Sequence, residues 1–311
     1  MRKCAQGGFP EGSITRRSES LAMRIAHHLG LERIAWALRR LHCPVPKDAL
    51  VLEVGSGGNP YARANVLLDA YEATRERHWV PLVADRPTVL GFVENLPFRD
   101  GAFDFVIASH VLEHSSDPER FISELQRVAR AGYIETPDAF MERVNPYHDH
   151  RLEVTVRNNR LLIRKKPDWC VDQELVELYE QRAKPWVACE AIPNHPFGFH
   201  VRYYWSDRID HEILNPEVDA TWVPPETPVV SPPTSGGARK RLLGALRFLF
   251  SQGSRNRQID LISLMRCPTC KGESLRLEGA TLVCAGCGGD HPVRDGGIPV
   301  MISDSDQPLL G

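Results

Sequence analysis

The chain reads as an α/β protein built on a doubly wound parallel sheet, with a mixed α+β insertion and a small cysteine-bearing module towards its end. Three observations carry that reading. Short Val/Ile/Leu runs alternate with helical stretches between residues 49 and 137, the mark of parallel strands buried on both faces. The first of these runs ends in glycines, as a tight turn out of a strand requires. Two C-x-x-C pairs, Cys267–Cys270 and Cys284–Cys287, follow a proline-rich stretch.

Composition fits. With 311 residues, 42% of them hydrophobic and 25% charged, the chain is expected to be soluble and globular, of about two domains; collagen, coiled coil and wholesale disorder are excluded. The net charge of -2 means that nucleic-acid contact would need a local basic patch. No apolar run reaches the ~18 residues of a membrane span. The opening MRKCAQGGFPEGSITRRSES lacks the apolar core of a secretory signal, so a cytoplasmic location is expected. Disulfides are rare there. The paired cysteines therefore read as metal ligands, and Cys4, Cys43, Cys170 and Cys189 as ordinary thiols.

Residues 1–45 form an N-terminal helical segment. SLAMRIAHHLGLERIAWALRRL places Leu21, Ile25, Leu29, Ile34, Leu38 and Leu41 on one face of an amphipathic helix, and CPVPKD ends it because proline cannot continue a helix. The main domain spans 46–214. Strands are expected at ALVLEV (49–54), ANVLLD (64–69), TVLGFV (88–93), FDFVIAS (103–109) and GYIETP (132–137), with a helix at 118–130. Within 138–214, assigned as a substrate-binding cap, RLEVTVRNNRLLIRKK reads as a hairpin about Asn158–Asn159. A helix (DQELVELYEQRA) and an aromatic strand (FGFHVRYYWSD) follow. Residues 215–238 are a Pro-rich linker, and 239–260 a basic amphipathic helix. The helix is read as a docking element with a solvated basic face; contact with an anionic membrane surface or RNA backbone is the alternative. Residues 261–311 form the cysteine module.

The loop Glu53-Val54-Gly55-Ser56-Gly57-Gly58 directly follows the first strand, where nucleotide-like ligands bind in such sheets. The full G-x-G-x-x-G pattern is not matched. Asp69 closes the second strand, where an acid can accept from both hydroxyls of a ribose. With these residues in place, VLEVGSGGNP, LLDAY and GFVENLPFRDGAFDFVIASHVLEHSSDP resemble, in order, the class I S-adenosylmethionine-dependent methyltransferases, over roughly Leu50 to Pro137. The resemblance implies a Rossmann-like sheet and an S-adenosylmethionine site. Glu53 would orient the loop and the cofactor's amino group, and Gly55, Ser56 and Gly57 would pass under its methionine part. Asp69 would hold the ribose, Val93 and Glu94 would lie beside the adenine, and Ser109 with His110 near the sulfonium. Phe92 stands where many members carry an adenine-pairing Asp, so an aromatic wall or a backbone contact is expected there instead.

His110, Glu113 and His114 fall at i, i+3 and i+4, with His148, Asp149 and His150 downstream. In ubiquinone-pathway O-methyltransferases and small-RNA 2′-O-methyltransferases, the position that this stretch resembles reads E-x-x-E-H and binds a divalent metal. A second metal at His110, Glu113 and His114 is one reading, a helix-capping pair the other. His110, His114 and His150 are the candidate catalytic residues, with His110 or His150 favoured as general base because neutral imidazole suits proton removal near neutral pH. The N-P-P-Y of many amide and amino methylators is absent after the fourth strand, which favours an oxygen or a non-planar nitrogen as acceptor.

The spacing of Cys267, Cys270, Cys284 and Cys287 is that of four thiolates around one structural Zn2+. The segment LMRCPTCKGESLRLEGATLVCAGCGGDHPVRDGGIPVMI resembles the small zinc-ribbon proteins that partner and activate tRNA, rRNA and release-factor methyltransferases. That likeness implies a ribbon fused in cis and docked on the chain's own catalytic domain. The expected activity is O-methylation of a small-molecule or glycan-like acceptor. An RNA or translation-factor methyltransferase, and a non-catalytic scaffold, are the alternatives; a nucleic acid partner is not favoured.

Overall fold

The computed structural model describes residues 18–74, 77, 79–225, 245 and 249–303. Two short helices open it: α1 (Leu21–His28), capped by Ser20 Oγ accepting from Met23 N, and α2 (Glu32–Leu38). Gly30, at φ +70°, separates them. This break corrects the single amphipathic helix. Met23, Ala26 and Ala35 are the buried residues, whereas Leu21, Ile25, Leu29 and Ile34 are 68%, 51%, 63% and 49% exposed. Met23 and two alanines face the domain, and Leu21, Ile25 and Leu29 of the expected apolar stripe instead line an open groove with Phe140, Trp186 and Phe197.

The central strands are β1 (Val51–Val54), β2 (Val66–Asp69), β3 (Thr88–Leu90), β4 (Phe105–Ser109) and β5 (Ala131–Pro137). They are parallel, with β1 paired to β2 and β4, β2 to β3, and β4 to β5. All residues of β1 to β4 are buried, so these strands lack the polar alternation of a half-solvated sheet. Helix α3 (Pro118–Val128) packs over them through Phe121, Ile122, Leu125 and Val128. Its start is fixed by Asp117, whose side chain accepts from Arg120 N, and by Pro118 in the first turn, where a missing N–H costs nothing.

After β5 come α4 (Ala139–Val144), then β6 (Leu152–Arg157) and β7 (Arg160–Lys165). The last two form the hairpin, turned by Asn158 and Asn159 at φ +51° and +61°. Helix α5 (Gln173–Leu178) runs on through wide π turns at Tyr179–Ala183 and Val187–Ala191. Each precedes a proline, Pro185 or Pro193, whose absent N–H interrupts the i→i−4 ladder. The aromatic strand β8 (His200–Ser206) pairs antiparallel with β5 and completes a six-stranded sheet of order β3-β2-β1-β4-β5-β8. It is therefore part of the main sheet rather than of a separate cap. A three-stranded sheet of β6, β7 and β9 (His211–Ile213) stands beside it.

The last strands, β10 (Leu275–Glu278), β11 (Thr281–Cys284), β12 (Asp290–Arg294) and β13 (Ile298–Pro299), make a separate antiparallel sheet. This module lies against the open edge of the main sheet. Val300 bridges to Leu90 and Met265 to Phe98, Met301 N donates to Leu90 O at 2.7 Å, and both methionines are fully buried. An edge strand left bare would expose unpaired backbone groups. Of the Pro-rich linker, 226–238 lie outside the described residues, as do 239–244 and 246–248 of the basic helix. Its described end holds a short helix, α6 (Gly253–Asn256). There Arg255 donates to the carbonyls of Lys47 and Ala49, so its charge is spent within the molecule. Among the described residues no helix is long and apolar enough to cross a membrane.

Candidate functional site

At the carboxyl ends of β1, β2 and β4 lies a cavity of about 430 Å³, where open parallel sheets bind their ligands. Glu53, Gly55, Ser56, Asp69, Val93, Glu94, Ser109, His110, His114 and His150 all line it. Gly57 is reached through Asp69, which accepts from its N–H at 2.9 Å. Gly55 and Gly57 have φ of +62° and +55°, a region that L side chains enter at a cost. A Cβ on Gly55 would stand 2.0 Å from Val111 Cγ2; only hydrogen fits.

Glu53 is buried and accepts from Tyr61 N at 2.7 Å, which ties the far limb of the loop to β1. The buried Ser56 Oγ has no hydrogen-bond partner, although satisfied groups are the rule in interiors. Asp69 also accepts from Tyr71 N at 3.1 Å and pairs with Arg77 Nη1 at 2.6 Å. The guanidinium thus sits where the sequence reading puts a sugar. Tyr71 and Phe92 meet edge to face, ring centres 6.0 Å apart, and form an aromatic wall where an adenine-pairing acid was missing. Glu94 turns its carboxylate to the Ser115 hydroxyl, and burial pushes its pKa up despite that bond.

Ser109 and His110 end β4. Ser109 Oγ donates to Glu135 Oε1 at 3.0 Å. His110, at φ +59°, lies 3.4 Å from a carboxylate oxygen of both Glu113 and Glu135. Burial alone would lower its pKa, but the two carboxylates prevail and hold it at about 9. At neutral pH His110 is therefore an imidazolium without the lone pair that the general-base reading needs. Nor does it join the metal-like cluster. The donor atoms that converge within 4.8 Å belong to Glu113, His114 and His150.

Glu135 is fully buried and anchors what the sequence did not reveal. It accepts from Arg39 Nε at 2.8 Å and Nη2 at 2.9 Å, and from Tyr133 OH. Burial opposes its ionisation, but His110 and Arg39 hold its carboxyl well below the ordinary range. Arg39 comes from the N-terminal segment and stacks 3.4 Å over Trp36. An acid inside the otherwise apolar GYIETP was the available signal, since a buried carboxylate requires a partner. Tyr71, Arg77, Val111 and Glu142 were likewise unassigned, because their roles depend on long-range packing.

In the C-terminal module the four thiols converge. Cys267 and Cys287 Sγ are 3.8 Å apart, Cys270 and Cys284 Sγ 3.5 Å. A tetrahedron with metal–sulfur bonds of about 2.3 Å has edges near ~3.8 Å, so the donor set fits Zn2+. The two knuckles share one geometry. Lys271 N donates to Cys267 O and Gly288 N to Cys284 O, with Lys271 and Gly288 both at positive φ. The buried His291 lies 3.5 Å from Cys267 Sγ.

Part of the chain is similar to known proteins. Residues 52–134 match the family model described as a methyltransferase domain. The chain is 46% identical over 43 residues to ajmaline N-methyltransferase of Rauvolfia serpentina, 14% of this chain and 15% of that protein. It is 36% identical over 89 residues to the tRNA (carboxymethyluridine(34)-5-O)-methyltransferase alkbh8 of Xenopus tropicalis, 28% of this chain and 14% of that protein. The match thus spans about one seventh of the length of each of these curated relatives. A solved complex of the Haloferax volcanii Trm112 methyltransferase activator and a methyltransferase is similar at 16% identity, over 60% of this chain and 94% of that one, with a TM-score of 0.33. Residues 52–134 are thus the part of the chain that is similar to a methyltransferase domain.

Proposed function

We propose that the chain is an S-adenosylmethionine-dependent methyltransferase acting on an oxygen of a small or glycan-like molecule, stiffened by a zinc ribbon in cis. The observation that carries the reading is the cradle at Gly55–Gly57, closed to any side chain by Val111 and facing the Asp69 carboxylate across one cavity. Bound there, the cofactor would supply a methyl group activated on a positively charged sulfur, for an acceptor oxygen whose proton would pass to solvent water. The residues present fit it. Glu53 and the loop N–H groups would receive the amino-acid part, and Ser56 Oγ would gain a partner. Asp69 would accept from the ribose once Arg77 swings aside, and Tyr71 with Phe92 would flank the adenine. His110, charged and fixed between two carboxylates, keeps its proton and shapes the floor. Alignment of acceptor and donor then supplies most of the rate.

Cys267, Cys270, Cys284 and Cys287 would hold Zn2+ as a structural ion, because all four positions are filled by protein sulfur. The module's contacts with β3 and with residues 91–99 support the view that it braces the adenine end of the site. Asn95 Nδ2 donates to Pro268 O at 3.2 Å and Arg266 N to Pro97 O at 3.0 Å.

The test is transfer of labelled methyl from S-adenosylmethionine by the full chain, into a small-molecule extract and into total RNA in parallel. Label in an alkali-stable small product supports the proposal. Label in RNA alone moves the acceptor to the class of the alkbh8 relative. No label in either, with no cofactor binding, leaves only a scaffold.

A further inference from the structure

Sequence spacing associates His110 with Glu113 and His114, but the fold replaces His110 by His150, from the loop after α4. We propose that Glu113, His114 and His150 form a divalent transition-metal site in the wall of the cofactor cavity, with its open positions towards the acceptor. This deepens the reading of the chain as an oxygen methyltransferase and rests on it.

Three features point to an ion rather than to packing. The carboxylate of Glu113 is buried, only 2% exposed, and neither oxygen has a hydrogen-bond partner. His110 Nδ1 stands 3.4 Å from its Oε1, an ion-pair contact rather than a hydrogen bond. Both imidazoles are held from behind. His114 Nδ1 is 3.1 Å from Asp149 O, and His150 Nδ1 is 2.7 Å from Glu142 Oε2. A neutral ring that donates from Nδ1 carries its lone pair on Nε2, and this backing by a carbonyl or carboxylate is the usual outer shell of a metal-ligating histidine. Glu142 is itself fixed by Lys166 Nζ at 2.7 Å and by Tyr147 N at 3.1 Å, so the orientation of His150 is built in. The turn carrying Glu113 and His114 is pinned from below by Arg151, whose N and Nη1 donate to their carbonyls at 2.8 Å each.

Two imidazoles and one carboxylate suit ions such as Zn2+, Mn2+, Fe2+ or Co2+ and leave positions for other ligands. Since Glu113, His114 and His150 line the same cavity as Ser56 and Asp69, a hydroxyl or phenolic oxygen of the acceptor is the ligand that the open side would take. Such coordination lowers the pKa of the bound oxygen. The cation His110, facing Glu113, is the competitor; an ion would take the carboxylate oxygen turned from it.

The experiment uses the full chain with its cysteine module loaded with zinc, titrated with Co2+ and Mn2+ and followed by metal analysis, visible absorption and electron paramagnetic resonance. We expect one ion per chain beyond the zinc, with Co2+ d–d bands but no added thiolate charge-transfer band. His150→Ala should abolish the extra ion, and Glu142→Gln should weaken it about 10- to 100-fold. Binding of S-adenosylhomocysteine, measured on the same samples, separates this inference from the methyltransferase reading. Cofactor binding without an extra ion overturns the site alone. Unchanged Mn2+ affinity in a folded His150→Ala or Glu142→Gln protein overturns it as well.

Discussion

Replacing Gly55 by alanine tests the cradle at its tightest point. The new Cβ would lie 2.0 Å from Val111 Cγ2 and 3.2 Å from Val111 Cβ, at φ +62°. Two costs add. The left-handed backbone costs an L residue roughly 1–2 kcal/mol, and overpacking against Val111 roughly 1–3 kcal/mol, so Gly55→Ala should destabilise the chain by about 2–5 kcal/mol. Val111→Ala removes both γ carbons and hence the worse contact. In the double variant the steric part should return, as a coupling of about 1–3 kcal/mol, while the backbone part stays. Urea unfolding of the four proteins gives the cycle, and titration with S-adenosylhomocysteine shows whether the cradle recovers with it. A Gly55→Ala protein within about 0.5 kcal/mol of wild type, or strict additivity with Val111→Ala, would refute the reasoning.

Three further outcomes follow from the same geometry. Arg77→Gln frees the Asp69 oxygen that it holds at 2.6 Å, and cofactor affinity should rise roughly three- to tenfold; an unchanged or weaker dissociation constant means that Arg77 does not compete. Cys284→Ser should release the zinc and unfold the C-terminal module, and, with the Met301–Leu90 bond lost, weaken cofactor binding several-fold. Calorimetry with metal analysis checks this, and intact cofactor affinity in the zinc-free protein would contradict it. Glu135 has its folded pKa depressed below the ordinary 4.5, so its contribution to stability is present above that pH and is lost as pH falls below it. Glu135→Gln should therefore lower stability at neutral pH and flatten its decline below about pH 4.5, as read from acid unfolding curves; parallel curves for the two proteins would count against it.

Local patterns carried much of the fold. The buried strands β1 to β5 are apolar throughout enough of their length to be read directly, and Asn158–Asn159 announced the hairpin of β6 and β7. Glycine, proline and cysteine act through the backbone or through fixed chemistry, so the loop at Gly55 and the two knuckles were equally legible. What failed depends on distance. The face of α1 and α2 was misjudged because periodicity marks an apolar stripe without saying what it meets, and here Met23, Ala26 and Ala35 did the packing. β8 was taken for part of a cap because nothing in an aromatic strand names its partner. The pairing of Arg39 with Glu135 spans 96 residues, and the approach of His150 to Glu113 and His114 depends on where α4 and its following loop return the chain. His110 illustrates the same limit in chemistry, since its proton is retained by carboxylates from two different elements.

Calorimetric titration of the purified full chain with S-adenosylmethionine and S-adenosylhomocysteine puts the whole account at risk in a single assay. One molecule of either should bind per chain, and Asp69→Ala should weaken both by tenfold or more while the protein stays folded. Absence of heat at saturating ligand, or equal affinity in the variant, would contradict the account.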